Sequence, residues 1–363
     1  MKLSIDAGVL RDALATNVTE RSTLDYMEHA LLVADNNTLR ITTTDLEKWW
    51  TVELDASVSE PGEATGKVAL LRAALNGLDG SVDLLLADNR LSLKCGRRRF
   101  NIPTLQVDGF TRLPDGETQP VTTEPAKLRE AIKRVAYAMG KNDVRPMLNG
   151  LLLDTNYCVA ADGHRMAICP APIDVPDTKE IIIPRDTVAY VLQLLGDAAT
   201  VRLAMRPGGS RIVALQIHNP DTRTTLHTAL IDSRYTNWQQ IAIDPDGIDK
   251  RHTFSAVDAR TALARVMPFC VGRAKVKSVP IGLASKGGHL TLSPPNMPET
   301  SDTVPCTTND EQETIGLEAN YLRDVLAPAD LGKVTWHTSS PDSITAFTVS
   351  GRDDTHYIAP LRL

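Results

Sequence analysis

Residues 161–168, ADGHRMAI, bring together side chains that carry out proton chemistry in many enzymes: the Asp162 carboxylate, the His164 imidazole and the Arg165 guanidinium, around Gly163. A histidine base oriented by an acid is half of a hydrolytic site. The other half is missing. No G-x-S-x-G elbow presents a nucleophile, and neither G-x-x-x-x-G-K-[ST] nor G-x-G-x-x-G offers a phosphate loop. No H-E-x-x-H occurs, and the eight histidines are scattered without ligand spacing. Neighbours at i and i+2 on a tight turn do not by themselves orient one another as base and acid. A hydrolase using Asp162 and His164 therefore stands only as one rival reading, a monomeric interaction scaffold being the other. The expectation is a protein without catalysis, cofactor or metal.

The cysteines agree. Cys95, Cys158, Cys169, Cys270 and Cys306 never form C-x-x-C, which removes zinc and dithiol chemistry. Their odd number suits a reducing compartment better than a disulfide framework. Asp6 and Asp12 interrupt the segment where a secretory leader needs an apolar core, and no run approaches the ~18 apolar residues of a membrane span. A cytoplasmic protein with no membrane contact is expected.

Asp-Gly is first of all a turn signal. The stretch TTTDLEKWW puts Asp45 at the matching point of an earlier segment, without the glycine and histidine. Asp162 thus belongs to a recurring scaffold, and Gly163, His164, Arg165 and Met166 to a surface that one copy adds. The recurrence runs through the chain. Amphipathic helices are predicted in SIDAGVLRDALATNV from Ser4, TEPAKLREAIKRVAYAMG from Thr123 and FSAVDARTALARVMPFCVG from Phe254. Asp6, Thr123 or Glu124, and Ser255 are their candidate caps. In the second, Leu128, Ala131, Ile132, Val135, Ala136 and Met139 form one apolar stripe. Each is followed by strand, polar turn and strand, then by a second helix (KVALLRAALNGL, PRDTVAYVLQLLG, EANYLRDVLA) and further strands. RPGGSR (206–211) reads as a hairpin turn. The fold class is α+β, with pairs of helices covering antiparallel sheet. Linker-like RLPDGETQP and AIDPDGIDKRH divide the chain into 1–118, 119–248 and 249–363.

The chain carries a net charge of −6, yet the first helical segment of each repeat carries basic residues. Lys127, Arg129, Lys133, Arg134, Lys141 and Arg145 crowd one segment, with Lys127, Arg134 and Lys141 seven residues apart. Arg11 and Arg21 add to the first repeat, and Arg260, Arg265, Arg273, Lys275 and Lys277 to the third. A solvated helix face is the plain explanation of such runs. Basic residues on the same helix of each repeat in an acidic chain point instead to a polyanion held through its phosphates. With 4% aromatic residues, base stacking is a poor mode, and a duplex backbone fits better.

NDVRPMLNGLLLD, VAADGHRMAI, IIIPRDTVAYVLQLL, LIDSRYTNWQQI and a chain ending in YIAPLRL together resemble the bacterial sliding clamp, the β subunit of the replicative DNA polymerase, over the whole sequence. The resemblance implies three repeated clamp domains and a head-to-tail homodimeric ring around duplex DNA. It implies partners in replicative and accessory DNA polymerases and the clamp loader, docked through an apolar peptide pocket. Position by position, that pocket maps to Leu148, Ala161, Gly163, His164, Arg165 and Met166, to Thr236, Gln240 and Ile241, to Ile344 and Ala346, and to the tail residues Tyr357, Ala359, Pro360, Leu361 and Arg362. DNA contacts map to Arg21, Lys141, Asn142 and Arg145. Thr236 stands where the family usually has proline, Gln240 where arginine is common, and Ala359 where methionine is usual.

Overall fold

The computed structural model describes residues 1–18, 24–113, 116–175, 180–205, 212–270, 278–297, 299–328 and 332–363. The predicted hairpin turn at 206–211, Arg21, Arg273, Lys275 and Lys277 lie outside the described residues. Among the described residues six α-helices occur: α1 (Ala7–Ala15), α2 (Val68–Leu75), α3 (Pro125–Val135), α4 (Val188–Leu194), α5 (Ala256–Val266) and α6 (Ala319–Leu326). They follow the predicted order of helix, strands, helix, strands, three times over.

Local chemistry explains where the helices begin. Asp6 Oδ1 accepts from the amides of Gly8 (2.8 Å) and Val9 (3.1 Å), Ser255 Oγ from Asp258 (3.3 Å), and Glu318 from Asn320 (3.3 Å). One expectation is corrected. α3 stops at Val135, and a 3-10 turn, Ala136–Ala138, carries the chain to buried Met139. Arg185 takes the Met139 and Gly140 carbonyls, and the Gly140 amide turns to the Leu148 carbonyl (2.8 Å). Helical bonding cannot continue there, so Lys141 lies beyond the helix rather than on its face.

The chain divides into two compact units: Met1–Ala126 with Asp186–Leu230, and Lys127–Arg185 with Ile231–Leu363. In the first unit, α1 and α2 bury Leu10, Leu14, Leu71 and Leu75 against strands carrying Leu32, Leu39, Leu84 and Leu91. Its strands form a five-stranded sheet and an eight-stranded one. In the latter, Thr224–Ala229 pairs antiparallel with Lys48–Asp55. In the second unit, α5 and α6 cover Ile281, Leu292, Trp336 and Phe347. Its strands make one antiparallel sheet of twelve, in which Thr355–Ile358 pairs with Arg165–Pro170.

The arginines of the first helices have structural work. Arg11 Nη1 donates to the Leu78 carbonyl at 3.0 Å and Arg260 Nη1 to the Ala327 carbonyl at 3.1 Å, just past the ends of α2 and α6. A cation at these carbonyls satisfies orphan acceptors and the negative end of the helix dipole. Lys133 pairs with Glu130 (2.7 Å) and Arg265 with Asp302 (2.6 Å). Part of the basic pattern is therefore ordinary helix-surface pairing.

Candidate functional site

The strands Tyr157–Ala161 and Arg165–Pro170 are joined by a three-residue turn, and Asp162 builds it. Its Oδ1 accepts from the backbone amides of His164 (2.9 Å) and Arg165 (3.0 Å), and its Oδ2 from Arg165 Nε (2.9 Å). Gly163 sits at φ +89°, a region costly for any other side chain. The carboxylate meets His164 through its main chain, so it does not orient the imidazole as a catalytic acid would. Asp45 builds the same turn in the first repeat, accepting from Glu47 (3.0 Å) and Lys48 (2.7 Å) with Leu46 at φ +75°.

Beside this turn lies a cavity of about 180 Å³. Leu148, Ala161, Gly163, His164, Arg165 and Met166 line one side, Thr236, Ile241 and Ile344 another, and Tyr357 and Ala359 close it. Under it lies an apolar cluster that includes Leu152, Val159, Ile168 and Ala346. The tail is sewn in as a strand: Met166 lies opposite Tyr357, and the Ala359 amide donates to the His164 carbonyl at 2.8 Å. Tyr357 gives its hydroxyl to the Ile243 carbonyl (2.9 Å), and burial pushes this phenol up to about 12.

Some expected residues are elsewhere. Ala346 is buried beneath the cavity, and Gln240 is exposed outside its lining. Pro360, Leu361 and Arg362 also lie outside the lining, because the tail runs on to Gly316, whose carbonyl accepts from the Leu361 amide at 2.8 Å. A Cβ on Gly316 would meet the Leu361 carbonyl and the Leu363 side chain, so the tail end packs there.

Three lining residues were missed. Tyr235 and Trp238 flank Thr236, and the Trp238 indole donates to Asp154 Oδ2 at 3.1 Å. The readable signal was two aromatics at i and i+3 in an otherwise polar stretch. Arg145, expected at DNA, is on the cavity rim. Its Nε and Nη2 grip Asp143 at 2.9 and 3.0 Å and hold that carboxyl down at about 2. Lys141 and Asn142 are exposed in the same segment, Asn142 at φ +56°. Among the described residues no group of His, Cys, Asp and Glu is arranged to hold a metal, and no helix is long and apolar enough to cross a membrane.

A thrice-repeated helix pair on antiparallel sheet, with a pocket walled by a turn and a C-terminal strand, defines a clamp-type interaction protein. The family model of the DNA polymerase III beta subunit matches this chain, its N-terminal domain over residues 1–114 and its central domain over 122–237, and the chain belongs to that family. It is a sliding clamp, the processivity factor rather than the catalytic subunit. A beta sliding clamp of Pseudomonas putida is 29% identical over 364 residues, covering 95% of each chain. The Pseudomonas aeruginosa clamp solved with bound griselimycin superposes with a TM-score of 0.88 at 26% identity, over all of both chains. The Caulobacter crescentus beta sliding clamp, solved with a polyethylene glycol at a putative beta-motif tethering region, gives 0.87 at 26%, again over all of both chains.

Proposed function

We propose that two copies of this chain close head to tail into a cytoplasmic ring around duplex DNA, each copy formed of clamp domains 1–118, 119–248 and 249–363. The observation that carries this reading is a repeated strand junction. The last strand of the second repeat pairs with the third strand after the first helix of the first repeat, Thr224–Ala229 on Lys48–Asp55. The third repeat pairs with the second in the same way, Thr355–Ile358 on Arg165–Pro170. By the same rule the first repeat's last strand, Arg98–Pro103, needs a counterpart to Lys48–Asp55, and in the third repeat that is Asp302–Thr308. Arg98–Pro103 is a sheet edge with Arg98, Arg99, Phe100 and Asn101 exposed. Residues 302–305 pair with 289–292 on one side, while 306–308 are already taken by 252–254, so 302–305 is the span that a second copy would meet. Lys94 lies directly opposite Arg99, a like-charge pair that an acidic residue of a second copy such as exposed Glu299 would offset. An open strand edge of this kind is otherwise an aggregation hazard.

In this reading DNA is met without base reading by Arg21, Lys141, Asn142 and Arg145. The cavity around Leu148, Met166, Thr236 and Tyr357 receives short apolar peptides from replicative and accessory polymerases and the clamp loader. Tethering raises the polymerase's effective concentration at its primer end without tight contacts. The test is retention on DNA after loading. Circular duplex should hold the protein and linearised duplex should lose it; loss from both at equal rates would refute topological binding.

A further inference from the structure

The basic residue that ends the Asp turn is held the same way at two places. Lys48, almost fully buried, lies 2.6 Å from both Asp45 and Asp186. Arg165 is bound to Asp162 (Nε, 2.9 Å) and to Asp324 on α6 (Nη1, 2.6 Å). Its third nitrogen, Nη2, donates to the Tyr137 carbonyl at 2.8 Å, and its plane lies over the rings of Tyr321 (4.4 Å) and Tyr137 (5.2 Å). Every arm of the guanidinium is therefore occupied by the protein itself. We propose that Asp324, which does not line the cavity, is a positioning residue: through Arg165 it holds the turn 162–165 in its binding-ready shape.

This rests on the cavity being the peptide pocket. The turn it holds supplies Gly163 and His164 to the rim, and the His164 carbonyl anchors Ala359 on the facing wall. Without Asp324 the arginine keeps Asp162, the Tyr137 carbonyl and its stacking on Tyr321, but loses its ion pair to α6. The occupant must then order both walls as it binds, and affinity falls by that amount. The Lys48 turn, built without a guanidinium or stacked rings, sets a natural comparison.

Griselimycin is the probe, titrated by calorimetry into the full-length protein and its variants. Asp324→Ala should bind about tenfold more weakly, Asp324→Glu should recover most of the loss, and Arg165→Lys should fall between. Should Asp324→Ala not fold, Asp324→Asn carries the same comparison. Hydrogen exchange separates positioning from general damage: the Ala359 amide should exchange faster in the variant, while Thr224–Ala229 stays as in the wild type. Affinity within twofold of wild type, or an Asp324→Glu no better than alanine, overturns the proposal alone. No binding by the wild-type chain overturns the pocket reading and this proposal with it.

Discussion

An acid two residues before a histidine has one strong alternative to catalysis, which is to bond the backbone and make a turn. Asp45 and Asp162 both take it, each accepting two amides. For Lys48, burial by itself would lower the pKa, but the bonds to Asp186 and Asp45 outweigh it and the value is raised. Asp45→Ala removes one of these carboxylates and both hydrogen bonds of the turn. It should lower stability by about 2–3 kcal/mol, read from urea unfolding. Gly163→Ala is expected to act on the pocket. Its Cβ would meet only the end of the Arg145 side chain, which can shift, but φ +89° disfavours any side chain by about 1–2 kcal/mol. On the proposed pocket reading, affinity for griselimycin as the probe should drop roughly five- to tenfold by calorimetry; an unchanged value would mean that the turn relaxes freely.

Among the elements, the strands carry a hidden pH dependence. His227 and His252 are held down at about 4 and His337 is lowered too, in each case chiefly by burial, with Lys250 adding to the effect at His252 and Arg251 at His337. The unfolded chain therefore takes up these protons first as pH falls below about 6.5. Stability is full above that pH and declines from there toward pH 4. The melting midpoint should drop by roughly 5 °C or more between pH 7.5 and 5. A flat profile over that range would show these imidazoles to be wet in solution. The helices were legible in the sequence from their apolar spacing and caps, as at Asp6 and Ser255. The end of α3 was not: Val135 and Ala136 both fit a helix, and only Arg185 and Leu148, distant in sequence, draw the backbone away.

For the molecule as a whole, the prediction concerns ring closure. Arg98→Glu combined with Arg99→Glu reverses the charge of the edge strand. On the proposed ring, sedimentation at micromolar concentration should show pairs for the wild type and single chains for the double variant. A two-chain species that survives the reversal would place the closing contact elsewhere. The double variant should also lose its retention on circular DNA, since an open clamp has no topological hold.

The sequence by itself determined the threefold order of helices and strands, the twin turns at Asp45 and Asp162, and the absence of a hydrolytic constellation. These depend on periodicity and on bonds between near neighbours, which residue types set locally. The family likeness also brought Leu148, His164, Thr236 and Tyr357 into one list. Only the tertiary structure decided that Tyr235, Trp238 and Arg145 share the cavity, that Leu361 and Arg362 run past it to Gly316, and that Arg165 is spent on Asp162, Asp324 and Tyr137. Those facts turn on which segments meet across the fold, 159 residues apart for Arg165 and Asp324, and no local spacing encodes such meetings.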